Sequence, residues 1–123
     1  IHEIFELIDF NNFDESIIKD KFILSKVVKF LNNDLLKNKK NANIYHEYEF
    51  IYNKDNIEYN GIIDLMMEYS DHIDIIDFKL KHVSDEAYVN QLHGYRDYIS
   101  GISNKKVYTY LYSIIDEEIT EIK

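Results

Sequence analysis

The chain has 123 residues, 46% apolar and 30% charged, which suits one domain with a modest core and is too apolar for disorder. It contains no cysteine, so disulfides, thiolate zinc sites and cysteine-held iron–sulfur clusters are excluded. Twenty-three acids against 14 Lys and Arg give a net charge of -9. That argues against a simple nucleic-acid clamp, since phosphate binding wants a basic surface, although a bound divalent cation can supply positive charge locally. No apolar run approaches the ~20 residues that span a bilayer and no secretory leader is visible, so a soluble, cytoplasmic protein is expected. The chain opens on Ile1 in helical pattern and reads as a piece of something longer.

In chain order, Ile1, Ile4, Phe5 and Ile8 form one helical stripe, with His2, Glu6 and Asp9 on the other side. Asn12, with Glu15 three residues on, can cap a second helix whose apolar positions are Ile17, Ile18, Phe22, Val28 and Leu31. The stretch NNDLLKNKKNAN reads as a helical turn and a loop. The period then changes to two. Residues 43–53, 57–69 and 72–80 are rich in Ile, Tyr and Phe, and their short links predict an antiparallel three-strand meander. Ser84 or Asp85 can cap a helix to about Ser100, with Gly101 placed to end it. A last strand is expected over 106–115. The order predicts an α/β domain spanning residues 1–123, with a small mixed sheet flanked by helices. Tyr108, Tyr110 and Tyr112 share one face of the last strand, as core or sheet packing requires.

The segment GIIDLMMEYSDHIDIIDFKLK, residues 61–81, places acids inside two apolar runs. A tight turn centred between Ser70 and Asp71 puts Asp64 directly opposite Asp77, with Cβ atoms ~4.5–5.5 Å apart. Lys79, two residues beyond Asp77, shares that face. Two like charges so close are unfavourable unless a cation lies between them, and oxygen ligands suit Mg²⁺ or Mn²⁺. A turn centred in NKDN puts Glu47 opposite Ile62 and diagonal to Asp64, roughly 7–8 Å away, which makes it a weaker candidate. Two carboxylates and a lysine on one wall suit phosphodiester hydrolysis. The competing reading is a solvated strand face on which Lys79 merely pairs with Asp77.

An Asp near the end of one strand followed by Asp-x-Lys on the next resembles the PD-(D/E)XK nuclease superfamily. The surrounding residues are similar to its RecB/AddA branch of helicase-nucleases: GIIDL followed by IIDFK, YVNQLHGY from Tyr88 to Tyr95, HEYEF before the Asp strand, IHEIFEL at the start and VYTYLYS at the end. The resemblance implies a restriction-endonuclease-like core. It implies that His2, Asp64, Asp77 and the backbone carbonyl of Phe78 ligate Mg²⁺ or Mn²⁺, that Lys79 is the catalytic lysine, and that Gln91 and Tyr95 serve the site from the neighbouring helix. Residues i and i+4 share a helix face, as that pair requires. Leu80 departs from the pattern, where the branch commonly carries threonine. The implied function is metal-dependent DNA cleavage, as an exonuclease, within a helicase-nuclease that processes double-strand breaks. Its partners would be DNA, a helicase motor in the same chain and a second helicase-nuclease subunit, with no membrane role. The alternatives are a non-catalytic module that keeps the fold for DNA guidance or subunit contact, and a stand-alone exonuclease of phage or CRISPR type.

Overall fold

The computed structural model describes residues 4–5, 8–81 and 86–123. Five strands form one sheet in the order β1-β2-β3-β4-β5: β1 Asn43–Lys54, β2 Ile57–Glu68, β3 His72–Lys79, β4 Lys106–Ser113 and β5 Glu118–Ile122. Helix α1 spans Lys21–Leu31 and helix α2 spans Glu86–Ile102. Neighbouring strands are antiparallel except β3 and β4, which run parallel with α2 as their crossover. The sheet is therefore mixed, as expected, and β5 is an addition that the short polar-apolar alternation of EITEI did not announce.

Two apolar clusters sandwich the sheet. On one face Phe5, Ile8, Phe10, Val27, Phe30 and Leu36 pack against Leu65, Met67, Ile76, Phe78 and Tyr112. On the other, Leu92, Tyr95 and Ile99 of α2 pack against Phe50, Ile63, Met66, Ile73 and Ile75. With both faces covered, β3 is buried without a break from Ile73 to Phe78, its two aspartates included. Tyr112 and the partly buried Tyr110 belong to the first cluster, as their shared face implied, whereas Tyr108 lies outside it and meets His72 edge-on at 5.8 Å. No helix among the described residues is long and apolar enough to cross a membrane.

The start of the chain differs from expectation. Ile4 and Phe5 are helical, and the Ile8 N–H donates to the Ile4 carbonyl, but much of residues 1–10 lies outside the described residues. The helix expected to be capped at Asn12 begins only at Lys21. Asp14 caps a single 3-10 turn at Glu15–Ile17, and the chain is extended at Ile18 and Asp20. Asp20 is the true N-cap, accepting from Phe22 N at 2.9 Å and Ile23 N at 3.1 Å. Val27 and Phe30 are the fully buried positions of this helix, Leu31 packs against the same cluster, and Ile17 and Phe22 are left exposed. Ser84 and Asp85, the expected caps of α2, lie outside the described residues. Gly101 falls inside the last turn of α2.

The β1–β2 hairpin closes through Asp55 and Asn56, both at positive φ (53° and 64°), with Lys54 paired to Ile57. That is the mirror-image two-residue turn that matches strand twist. In the same hairpin Phe50 pairs with Gly61, and its ring covers the glycine. A Cβ at Gly61 would run into that ring, which is also held by Tyr98 (centroids 4.3 Å apart) and Tyr95 (5.5 Å). Gly61→Ala is therefore expected to destabilise the fold by ~1–3 kcal/mol through overpacking. Adding Phe50→Leu should recover part of that loss, and urea melts of the single and double variants check both effects.

Candidate active site

β3 is bonded to β4 along its whole length, from His72–Lys106 to Lys79–Ser113. On its other side it pairs with β2 only from Glu68–Ile73 to Leu65–Ile76. The paired residues follow the register that the turn at Ser70–Asp71 predicted, but the pairing stops one step short of Asp64 and Asp77. There the two strands part. The Asp64 carboxylate fills the gap, its Oδ2 accepting the Phe78 N–H at 2.9 Å where a strand carbonyl would otherwise sit. In an extended strand a residue's N–H and C=O point to the same side, so the Phe78 carbonyl faces this gap too.

Asp64 also marks a change of face. Leu65 and Met67 join the first core cluster, whereas Ile63 joins the second. β1 changes in step: Ile44 packs on the first side, and Tyr48 and Phe50 on the second. The pairing steps from His46–Leu65 to Tyr48–Ile63 and passes over Glu47 and Asp64. Glu47 has φ 48°, an unusual conformation for a residue with a Cβ. Its place is thus a correction. Glu49, not Glu47, is opposite Ile62, because the two-residue turn at Asp55–Asn56 shifts the register by two. Glu47 stands across from Asp64, exposed at the kink.

Asp77 is buried on the α2 side, only 5% exposed, and Lys79 is partly exposed beside it. Lys79 Nζ lies 3.0 Å from Asp77 Oδ2, yet that oxygen is fully enclosed and has no aligned hydrogen bond among the described residues. The contact is one of charge. The same Nζ sits 4.0 Å above the ring of Tyr88, in cation–π geometry. Tyr88, Gln91 and Tyr95 share one face of α2. Tyr95 is buried, and its hydroxyl engages the backbone at Ile62 and the side chain of Gln91. Burial, reinforced by the charges of Asp77 and Asp64, pushes the Tyr95 hydroxyl above its ordinary pKa and keeps it a proton donor. Both carboxylates therefore act on the same tyrosine.

Asp64, Asp77, Phe78, Lys79, Gln91 and Tyr95 are thus brought together where β2 leaves β3. His2 lies outside the described residues. Among the described residues no three His, Cys, Asp or Glu side chains form a ligand cluster. What is present is two carboxylates, one with an enclosed oxygen that takes no hydrogen bond among the described residues, and a carbonyl facing the same gap. Together they make a donor set of hard oxygens. Tyr88 was visible in sequence only as part of the helix motif. Its contact with Lys79 depends on how α2 crosses β3, which no local pattern reveals.

No family model matches the chain. Among curated proteins, an ATP-dependent helicase/nuclease subunit from Clostridium beijerinckii is 30% identical over 151 aligned positions, covering 97% of this chain and 12% of that protein. The protein of the same name from Clostridium kluyveri is 29% identical over 113 positions, covering 72% of this chain and 9% of its own length. That of Clostridium acetobutylicum is 30% identical over 83 positions, covering 59% and 7%. The chain spans about a tenth of the length of the relatives it matches. This similarity supports a link with the helicase-nuclease family.

A second buried acid on β3 serves as a contrast. Asp74 points to the opposite face, 3.5 Å from His72 Nε2, while His72 Nδ1 meets Asp71 at 2.7 Å. Burial pushes Asp74 up to about 6, against the opposing pull of His72. A carboxyl raised in the folded state contributes stability below its unfolded pKa of ~3.9 and loses it as pH rises through about 6. Asp74→Asn should therefore gain on the parent between pH 4 and pH 7.5. Paired thermal melts across that range check it, and a constant offset would count against the burial.

Proposed function

We propose that this chain is a metal-dependent DNA nuclease domain of the PD-(D/E)XK type, the nuclease part of a helicase-nuclease acting on broken DNA ends. The observation that carries the reading is the opening between β2 and β3, where Asp64 takes the Phe78 N–H beside buried Asp77 and Lys79. The names of the relatives support it independently. Asp64, Asp77 and the Phe78 carbonyl would hold Mg²⁺ or Mn²⁺, with His2 as a further ligand. When bound, such an ion activates water and stabilises charge on phosphate oxygens.

The chain's own residues supply the remainder. The hydrogen bond from Phe78 fixes the Asp64 carboxylate before any ligand arrives, so little ordering is left for the reaction. Lys79 brings a positive charge to the wall where the transition state gathers negative charge. Tyr88 holds that ammonium over its ring, and Asp77 holds it from the other side. Exposed Gln91 offers a hydrogen bond to a phosphate oxygen from α2, and buried Tyr95, kept protonated, positions it. An acidic domain can act on DNA in this way if a helicase motor in the same chain delivers the strand, with a second subunit completing the machine in the cytoplasm.

Cleavage of labelled linear DNA in Mg²⁺ or Mn²⁺, with and without chelator, tests the proposal. Asp77→Ala should abolish cleavage while the fold persists. Lys79→Gln should lose a factor of ~10²–10³ in rate and still bind Mn²⁺, because lysine is not a ligand. Undiminished cleavage by either variant would remove that residue from the mechanism.

A further inference from the structure

Between the end of the β1–β2 hairpin and α2 lies a groove of about 800 Å³ that the catalytic proposal leaves unused. Its walls are aromatic and ordered. Tyr52 and Tyr59 are cross-strand partners with rings stacked at 5.1 Å and 16°. Tyr98 of α2 stacks on Phe50 at 4.3 Å and 15° and leans on Tyr52 at 5.8 Å. Gly94 leaves room for this arrangement, because a Cβ there would come within 2.9 Å of the Tyr52 hydroxyl. Tyr59 stands at the rim, 39% exposed, so one end of the stack is open to a ligand.

The ring contacts run without a break to the candidate active site: Tyr59 to Tyr52, Tyr52 to Tyr98, Tyr98 to Phe50, and Phe50 to Tyr95 at 5.5 Å. The groove edge also carries Lys54, Asn90 and Asp97, which can meet a phosphate and the polar edges of a base. His93 lines it as well, its Nε2 enclosed without a hydrogen-bond partner among the described residues. Flat π-faces with hydrogen-bonding side chains around them are what an unstacked nucleobase needs. A chain of net charge -9 gains little from phosphates alone, so grip on a strand has to come from the bases.

We propose that this groove binds a base of single-stranded DNA and guides the strand along α2 toward Asp64 and Asp77. The proposal rests on the nuclease reading for its direction, but its test does not need catalysis. The full chain is titrated, in chelator, against fluorescein-labelled oligo-dT and against an abasic strand of the same length. Tyr59→Ala should weaken oligo-dT binding about tenfold, as loss of one stacking ring does, and leave abasic binding unchanged. Tyr59→Phe keeps the ring and should bind like the parent. An equal loss on both strands, an unchanged oligo-dT affinity, or no binding of oligo-dT by the parent would overturn the groove. Failure of the nuclease reading would show separately, as a parent protein that binds oligo-dT but never cleaves DNA when metal is added.

Discussion

The site hangs on the hydrogen bond from the Phe78 N–H to the Asp64 carboxylate. A sheet strand normally satisfies its donors with the neighbouring strand's carbonyls. Here β2 joins β3 only from Leu65 onward, and just before that point the Asp64 side chain takes over that duty for one residue. The substitution holds a carboxylate in the plane of the sheet, next to the face on which Asp77 and Lys79 stand. It also sets the Phe78 carbonyl toward the same opening. One irregularity in pairing thus prepares a gap lined by oxygens, with apolar packing on either side to keep it rigid.

The kink is shared by two strands. Glu47 in β1 and Asp64 in β2 stand across from each other, and at both points the chain exchanges faces. Backbone held in a sparsely populated region persists only where the surroundings over-determine it. The rings around Phe50 and Gly61 on one side, and Phe10 stacked on His46 at 5.1 Å on the other, provide that framework. Glu47 is therefore better placed than a diagonal neighbour would be, though it is exposed to solvent in this structure.

Much of this was legible in the residues, for identifiable reasons. The β2–β3 register followed from a short polar turn between two apolar runs, but that the pairing would end just short of Asp64 and Asp77 was not legible. The β1–β2 register was not legible either, because Asp55–Asn56 lacks the glycine that usually marks a mirror-image turn. Two extra residues of pairing moved Glu47. Similarly, Asn12, Asp14 and Asp20 are all acceptable caps, and only the tertiary burial of Val27 and Phe30 selects the last. The groove of Tyr52, Tyr59 and Tyr98 depends on helix placement over the hairpin, which periodicity does not encode. In each case local chemistry set the options and long-range packing chose among them.

Calorimetric titration of Mn²⁺ into the parent and into Asp64→Asn puts the metal centre to its sharpest test. Asparagine keeps an oxygen that can accept the Phe78 N–H, so the fold and the opening should survive, while the charged ligand is lost. The parent should bind Mn²⁺ saturably, and the variant at least tenfold more weakly with an unchanged circular dichroism spectrum. A parent that takes up no Mn²⁺, or a variant that binds it equally well, would contradict a metal centre built on the parting of β2 and β3.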